Sequence, residues 1–257
     1  TLKLDGNEFT TLGTLDLPKL TELSAMVCKF TGPLPALDLA SLKILDLTMN
    51  QFSGNIPDLF LPNLETLKLC QNKLTGTIPD FSMPKLVNLQ LFSNALTGGI
   101  HFTSLPALKQ MAIYDNKLDS TIRNLNFPEL SLLELYNNSL KGSLPDINLP
   151  KINSINLSNN KLSGNIPDLN CPNLNTLNLS YNQFSGKFPV MNCQNILYCD
   201  LTGNKLEGEV PLLNFPKVQY FYAGSNKLTG KFNNSLCAKL QYLGLNSNLF
   251  EELPALR

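Results

Sequence analysis

The sequence predicts a β-rich repeat solenoid, and three observations carry that expectation. One position recurs every 22 residues from Cys28 to Asn248 without insertion or deletion, and Asn7 precedes Cys28 by 21 residues. The position holds asparagine at Asn50, Asn72, Asn94, Asn116, Asn138, Asn160, Asn182, Asn204, Asn226 and Asn248, with Cys28 the sole exception after Asn7. An L-x-L pattern leads into it, as in Leu67-Lys68-Leu69 and Leu177-Asn178-Leu179, and prolines punctuate the rest of the period. A fixed period in the twenties means that each unit makes one coil, which buries its apolar residues only by stacking on its neighbours.

Each part of the period has a physical reading. The leucines three and five residues before the slot point inward from a short strand, and successive strands pair in parallel about 4.7–4.9 Å apart. About twelve coils then stack to about 55 Å. The slot asparagine turns the chain out of the strand, and its amide satisfies backbone groups of its own and adjacent coils. Two residues on stands an apolar column, from Phe9, Phe30 and Phe52 through Leu74 and Leu162 to Phe184, Leu228 and Phe250, read as core throughout. Four residues on, glycine recurs at positions such as Gly32, Gly54, Gly76 and Gly186, where a tight turn is expected. Prolines at Pro57, Pro79 and Pro167, with a second set at Pro62, Pro84 and Pro172, remove donors and leave no room for a continuous outer helix. Extended or 3₁₀-like outer segments are expected instead.

The run Asn50-Gln51-Phe52-Ser53-Gly54-Asn55-Ile56-Pro57-Asp58 and its counterpart Asn160-Lys161-Leu162-Ser163-Gly164-Asn165-Ile166-Pro167-Asp168 resemble the N-x-L-S/T-G-x-I-P motif of plant-type leucine-rich repeats. The resemblance covers nearly the whole chain, with a period two residues shorter than is typical of that family. It implies a curved right-handed stack, with a parallel sheet on the inner face and a second short strand near the x-I-P segment. It also implies the roles found among receptor-kinase ectodomains, receptor-like proteins and secreted inhibitors of cell-wall-degrading enzymes.

Residues 1–257 read as a single leucine-rich-repeat domain. The chain starts inside a strand pattern at Thr1-Leu2-Lys3-Leu4 and stops at Leu256-Arg257 within a repeat, so a fragment of a longer chain, or a block covered by neighbours, is expected. Formal net charge is zero, and no basic stripe with interleaved aromatics suggests nucleic acid. No apolar run approaches the length of a membrane span.

The six cysteines lack metal spacing, so neither a metal nor a cofactor is expected. Cys171 and Cys193 occupy one position in adjacent coils, within disulfide range, and are candidates either for a bridge or for two stacked buried thiols. Sequons place glycosylation candidates at Asn137, Asn156, Asn178 and Asn233. Glycans on Asn156 and Asn178 would cover part of the inner face.

No catalytic constellation is present. His101, the only histidine, replaces a repeat proline and has no partner motif, and the column Asp58, Asp80, Asp146 and Asp168 reads as a turn residue of the repeat. A non-enzymatic protein is expected. Solenoids bind through variable residues on a regular sheet, and all seven tyrosines fall on outward strand positions or at the strand exit. Phe92, Tyr114 and Tyr136 share one column, flanked by Gln90, Gln110, Asp115 and Glu134. Tyr198, Tyr220 and Tyr242 share another, with Tyr222 beside them. These are the ligand-binding candidates, set against the plainer reading that aromatics simply suit strands.

The expected function is recognition of a protein, peptide or glycan on the strand-bearing face. The family resemblance adds an extracellular or cell-surface location. The competing reading is a structural component of a coat, matrix or filament, in which copies of the chain or other domains assemble by repeat stacking and lateral contacts.

Overall fold

A computed structural model describes residues 1–123, 125–233 and 235–252. Its spine is a 12-stranded parallel sheet whose strands follow one another in chain order, from Leu2–Lys3 and Glu22–Ser24 to Tyr220–Tyr222 and Tyr242–Gly244. Leu45 pairs with Leu67 and Leu133 with Ile155, a shift of one period, so residues of this sheet face their counterparts in the next coil. The inward leucines are fully buried, as at Leu45, Leu47, Leu67 and Leu177. The column two residues past the slot is buried from Phe30 to Leu228. Its ends differ from expectation: Phe9 is 45% exposed and Phe250 only partly buried, because a terminal rung has a neighbour on one side.

The slot asparagine does more than turn the chain. Asn182 Nδ2 donates to the carbonyls of Leu179 and Ser180 in its own coil and of Leu157 in the preceding one, at 3.2, 3.3 and 2.9 Å, while its Oδ1 accepts from Leu162 N at 3.0 Å. The same four contacts recur at Asn160 and Asn204. Cys28 keeps a reduced version, with its thiol 3.1 Å from the Leu4 carbonyl and 3.5 Å from that of Met26. The residue just before the slot is left-handed in every coil, with φ of 53° at Val27, 56° at Met49 and 54° at Tyr181. β-branched Val27 in this region is strained; the Cys28 thiol contacts follow it, where the other coils have the asparagine bonds.

The outer segments contain strands rather than 3₁₀ turns. A four-stranded sheet comprises Thr31–Pro33, Gln51–Asn55, Lys73–Thr77 and Ala95–Thr97, and a five-stranded one Lys141–Gly142, Lys161–Gly164, Gln183–Lys187, Lys205–Glu209 and Lys227–Thr229. The repeat glycine lies within or at the end of these strands rather than in a tight turn, with φ of 77° at Gly54. The two sheets are separated by the one coil, around Lys117–Thr121, in which Ser120 takes the glycine's place and does not adopt a positive φ. There the N–H groups of both Asp119 and Ser120 converge on the Gly98 carbonyl at 3.0 Å, and Asp119 Oδ1 accepts from Gly98 N.

Two stability outcomes follow. Asn182→Ala is expected to lower stability by about 2–4 kcal/mol in urea unfolding and to speed amide exchange at Leu162, whereas Asn182→Cys loses less. Gly54→Ala is expected to cost about 1–2 kcal/mol from backbone conformation alone, since no atom lies within 4 Å of where its Cβ would stand.

Candidate functional site: the strand-bearing face

Outward residues of the 12-stranded sheet form three columns, and the registered pairing brings like positions into contact. In the column nearest the strand exit, Phe92, Tyr114 and Tyr136 stack face to face, with centroids 4.5 and 4.4 Å apart and planes within 6° and 8°. Because the faces are used on one another, the group presents ring edges and hydroxyls to solvent. All three rings are half-buried.

Gln90, Ala112 and Glu134 occupy the middle column of the same three coils, and Asn88, Gln110 and Leu132 the far column. Glu134 is half-buried, and among the described residues it has no hydrogen bond or ion pair, so burial raises its carboxyl above the usual range. Burial, then the neighbouring Tyr114, Glu134 and Asp115, push the Tyr136 hydroxyl up to about 12. Tyr114 shifts the same way, through burial first and Glu134 second. Asp115 sits at the exposed strand exit and accepts from Asn137 Nδ2 at 2.7 Å. A shallow polar groove lined by Gln110, Ser131, Leu132, Asn153 and Ser154, among others, runs along the edge where the chain enters these strands.

The second aromatic group is looser. Tyr198 lies 6.4 Å from Tyr220 and 5.7 Å from Tyr222, and Tyr222 5.1 Å from Tyr242, with planes tilted by 36–48°. Tyr198 donates to Asp200 Oδ2 at 3.2 Å, and burial followed by the Asp200 charge raises its pKa. Tyr242 is 55% exposed. The structure therefore gathers each of the two groups, but separates them by coils bearing Ser158 and Ser180, both buried.

The two sequons on this face coincide with a structural device. Asn156 Oδ1 accepts from the N–H and Oγ of Ser158 at 3.1 and 2.7 Å, and Asn178 does the same for Ser180 at 3.0 and 2.7 Å. Asp46 and Asp200 make the corresponding backbone bond to Thr48 and Thr202. Such side-chain turns favour Asn or Asp at this position whether or not a sequon results. Asn137 is exposed and lies in a side-chain ladder from Asn159 to Asp115. Asn233 is exposed and caps Ser235 N at 2.9 Å; the middle residue of its sequon, Asn234, and the terminal Leu256-Arg257 lie outside the described residues.

Cys171 and Cys193 are free thiols, each wholly buried, and burial pushes Cys171 up to about 11. His101 is exposed, its Nδ1 3.2 Å from the Gly99 carbonyl oxygen. Asp80 and Asp168 accept from Thr103 N and Val190 N of the next coil, so they bridge coils where a turn residue was expected. Among the described residues no cluster of His, Cys, Asp or Glu could hold a metal, and no helix is long and apolar enough to cross a membrane.

Sequence reasoning did not single out Ala112, Asn88 or an exposed outer column of Asn126, Asn148, Asn170, Asn192 and Asn214. The outer column was visible in the same period of 22. Ala112 and Asn88 matter only through the side chains beside them, which no linear pattern reports.

Four segments, 41–62, 63–83, 151–171 and 173–194, match the Leucine Rich Repeat family model. Among solved structures, the plant peptide hormone receptor RGFR1 in complex with RGF2 is 29% identical with a TM-score of 0.85, over 91% of this chain and 40% of that one. YopM from Yersinia enterocolitica WA-314 is 28% identical with a TM-score of 0.79, over 99% and 52%. The Arabidopsis receptor kinase HAESA, in complex with the peptide hormone IDA and the co-receptor SERK1, is 26% identical with a TM-score of 0.69, over 91% and 50%. The chain thus spans about half or less of the length of these structures. No curated protein sequence matches it. Period, fold and family match together make this chain a leucine-rich-repeat protein, similar in its repeat motif to the plant-type receptors.

Proposed function

We propose that this chain is a non-enzymatic recognition module that binds a protein or peptide partner on its strand-bearing face, outside the cell or at its surface. The observation that carries the reading is the ordered stack of Phe92, Tyr114 and Tyr136 beside an unpaired, half-buried Glu134. Tyrosine offers large contact area with a polar tip and is enriched where interfaces concentrate their binding energy. A carboxylate left half-buried and unpaired weakens the free fold, an arrangement that makes sense where a partner completes it. The likeness to two receptors solved with peptide hormones, RGFR1 and HAESA, supports a peptide or protein as partner and the extracellular placement.

The direct test is selection from a displayed random-peptide library. The unaltered chain is expected to enrich a defined set of peptides, and Tyr114→Ala with Tyr136→Ala to lose at least about tenfold in affinity for them, equivalent to about 1.4 kcal/mol, while circular dichroism shows the fold retained. Equal binding by the double variant would sink the reading.

The carboxylate also sets a pH signature. Its folded pKa lies above its unfolded one, so ionisation costs the fold stability; that cost is complete above the folded value and absent below the unfolded one, about 4.3. Glu134→Gln is therefore expected to raise the urea midpoint at pH 7, with the gain shrinking on acidification and gone below about pH 4. A loss of stability at pH 7 would show that Glu134 has an internal partner.

A further inference from the structure

Three strands, Asn88–Gln90, Gln110–Ala112 and Leu132–Glu134, lie side by side beneath the aromatic stack. In their middle column Gln90 and Glu134 flank Ala112, whose methyl group is the only side chain between them. Strand spacing puts their Cα atoms about 9.6 Å apart. The next cation in that column, Lys68, is engaged by Asp46 at 3.4 Å. Around the short rung two acceptors lack partners. The Glu134 carboxylate has no hydrogen-bond or ion-pair partner among the described residues, and Asn88 Oδ1, beside Gln110 in the far column, is a buried acceptor without a donor. Gln90 and Gln110, whose amides both donate and accept, and the Tyr114 hydroxyl, which shares a hydrogen bond with Tyr136, border the same spot.

Resting on the recognition reading above, we infer that this spot takes an arginine side chain of the partner, its guanidinium lodged over Ala112 between Glu134 and Gln90, against the Tyr114 edge. A guanidinium carries five donors and no acceptor, and so supplies what these groups lack. Its planar fork pairs with a carboxylate in two bonds at once, and it is less strongly hydrated than an ammonium group, which favours arginine over lysine at a half-buried position. Ala112 is then the specificity-determining rung, since a longer side chain there would fill the space.

The test uses the full chain with isotope-labelled tyrosine, titrated with N-acetyl-arginine amide, N-acetyl-lysine amide and N-acetyl-norleucine amide. The arginine probe is expected to shift the Tyr114 resonances saturably, the lysine probe to bind several-fold more weakly, and the norleucine probe not to bind. Glu134→Gln should weaken the arginine probe by about tenfold, and Ala112→Leu should abolish its binding while the tyrosine spectrum stays that of a folded chain. No saturable shift, equal shifts from all three probes, or indifference to Glu134→Gln would each overturn the assignment. If library peptides still need Tyr114 and Tyr136 while Glu134→Gln changes nothing, only the arginine assignment falls. If the library enriches no peptide, the recognition reading falls with it.

Discussion

One side-chain amide per coil holds the architecture together. A coil of 22 residues folds back on itself too tightly for its own backbone to satisfy the groups at the strand exit, and the asparagine there answers three carbonyls and one N–H spread over two coils. The bonds to the preceding coil make each unit depend on its neighbour as well as on its leucines. The same bonds follow a left-handed residue at the strand exit even where that residue is methionine or tyrosine, at Met49 and Tyr181. Polar satisfaction and backbone strain are thus solved at one position, which is why only cysteine, a weak donor of similar reach, stands in for it within the array, at Cys28.

Because the pairing advances by one period at every step, the strand face is a set of ladders, and its chemistry is decided by runs within a column. Where a run is aromatic, rings stack; where it is small, the face is floored by Ser158 and Ser180. Asn156 and Asn178 show the converse, since residues that could be glycan acceptors also do the turn-forming work of Asp46 and Asp200. Surface and scaffold roles therefore share the same columns, and Glu134, proposed above for binding, stands out by having no internal bonding partner among the described residues.

Much of this was legible in the sequence because the period itself encodes the third dimension. Residues 22 apart are spatial neighbours, so the grouping of Phe92 with Tyr114 and Tyr136 could be read directly. What escaped reading depends on backbone angles and on neighbours two columns away. The glycine at Gly54 signalled a need for positive φ, but not that this need arises within a strand. The left-handed residue before each slot left no compositional mark, since it is glycine, valine, glutamine, aspartate or tyrosine in different coils. The thiols Cys171 and Cys193 have spacing that permits a bridge, and spacing alone does not decide between a bridge and two packed thiols.

The substitution of Ser120 for glycine coincides with the break between the two outer sheets. The stack is a beam with two flanges, one formed by the 12 strands and unbroken, the other interrupted at a single coil. That coil also carries Tyr114, on the unbroken flange. A partner seated on Tyr114 would therefore rest on the coil at which the outer pairing changes, over the roughly 9.6 Å of inner sheet that three strands span.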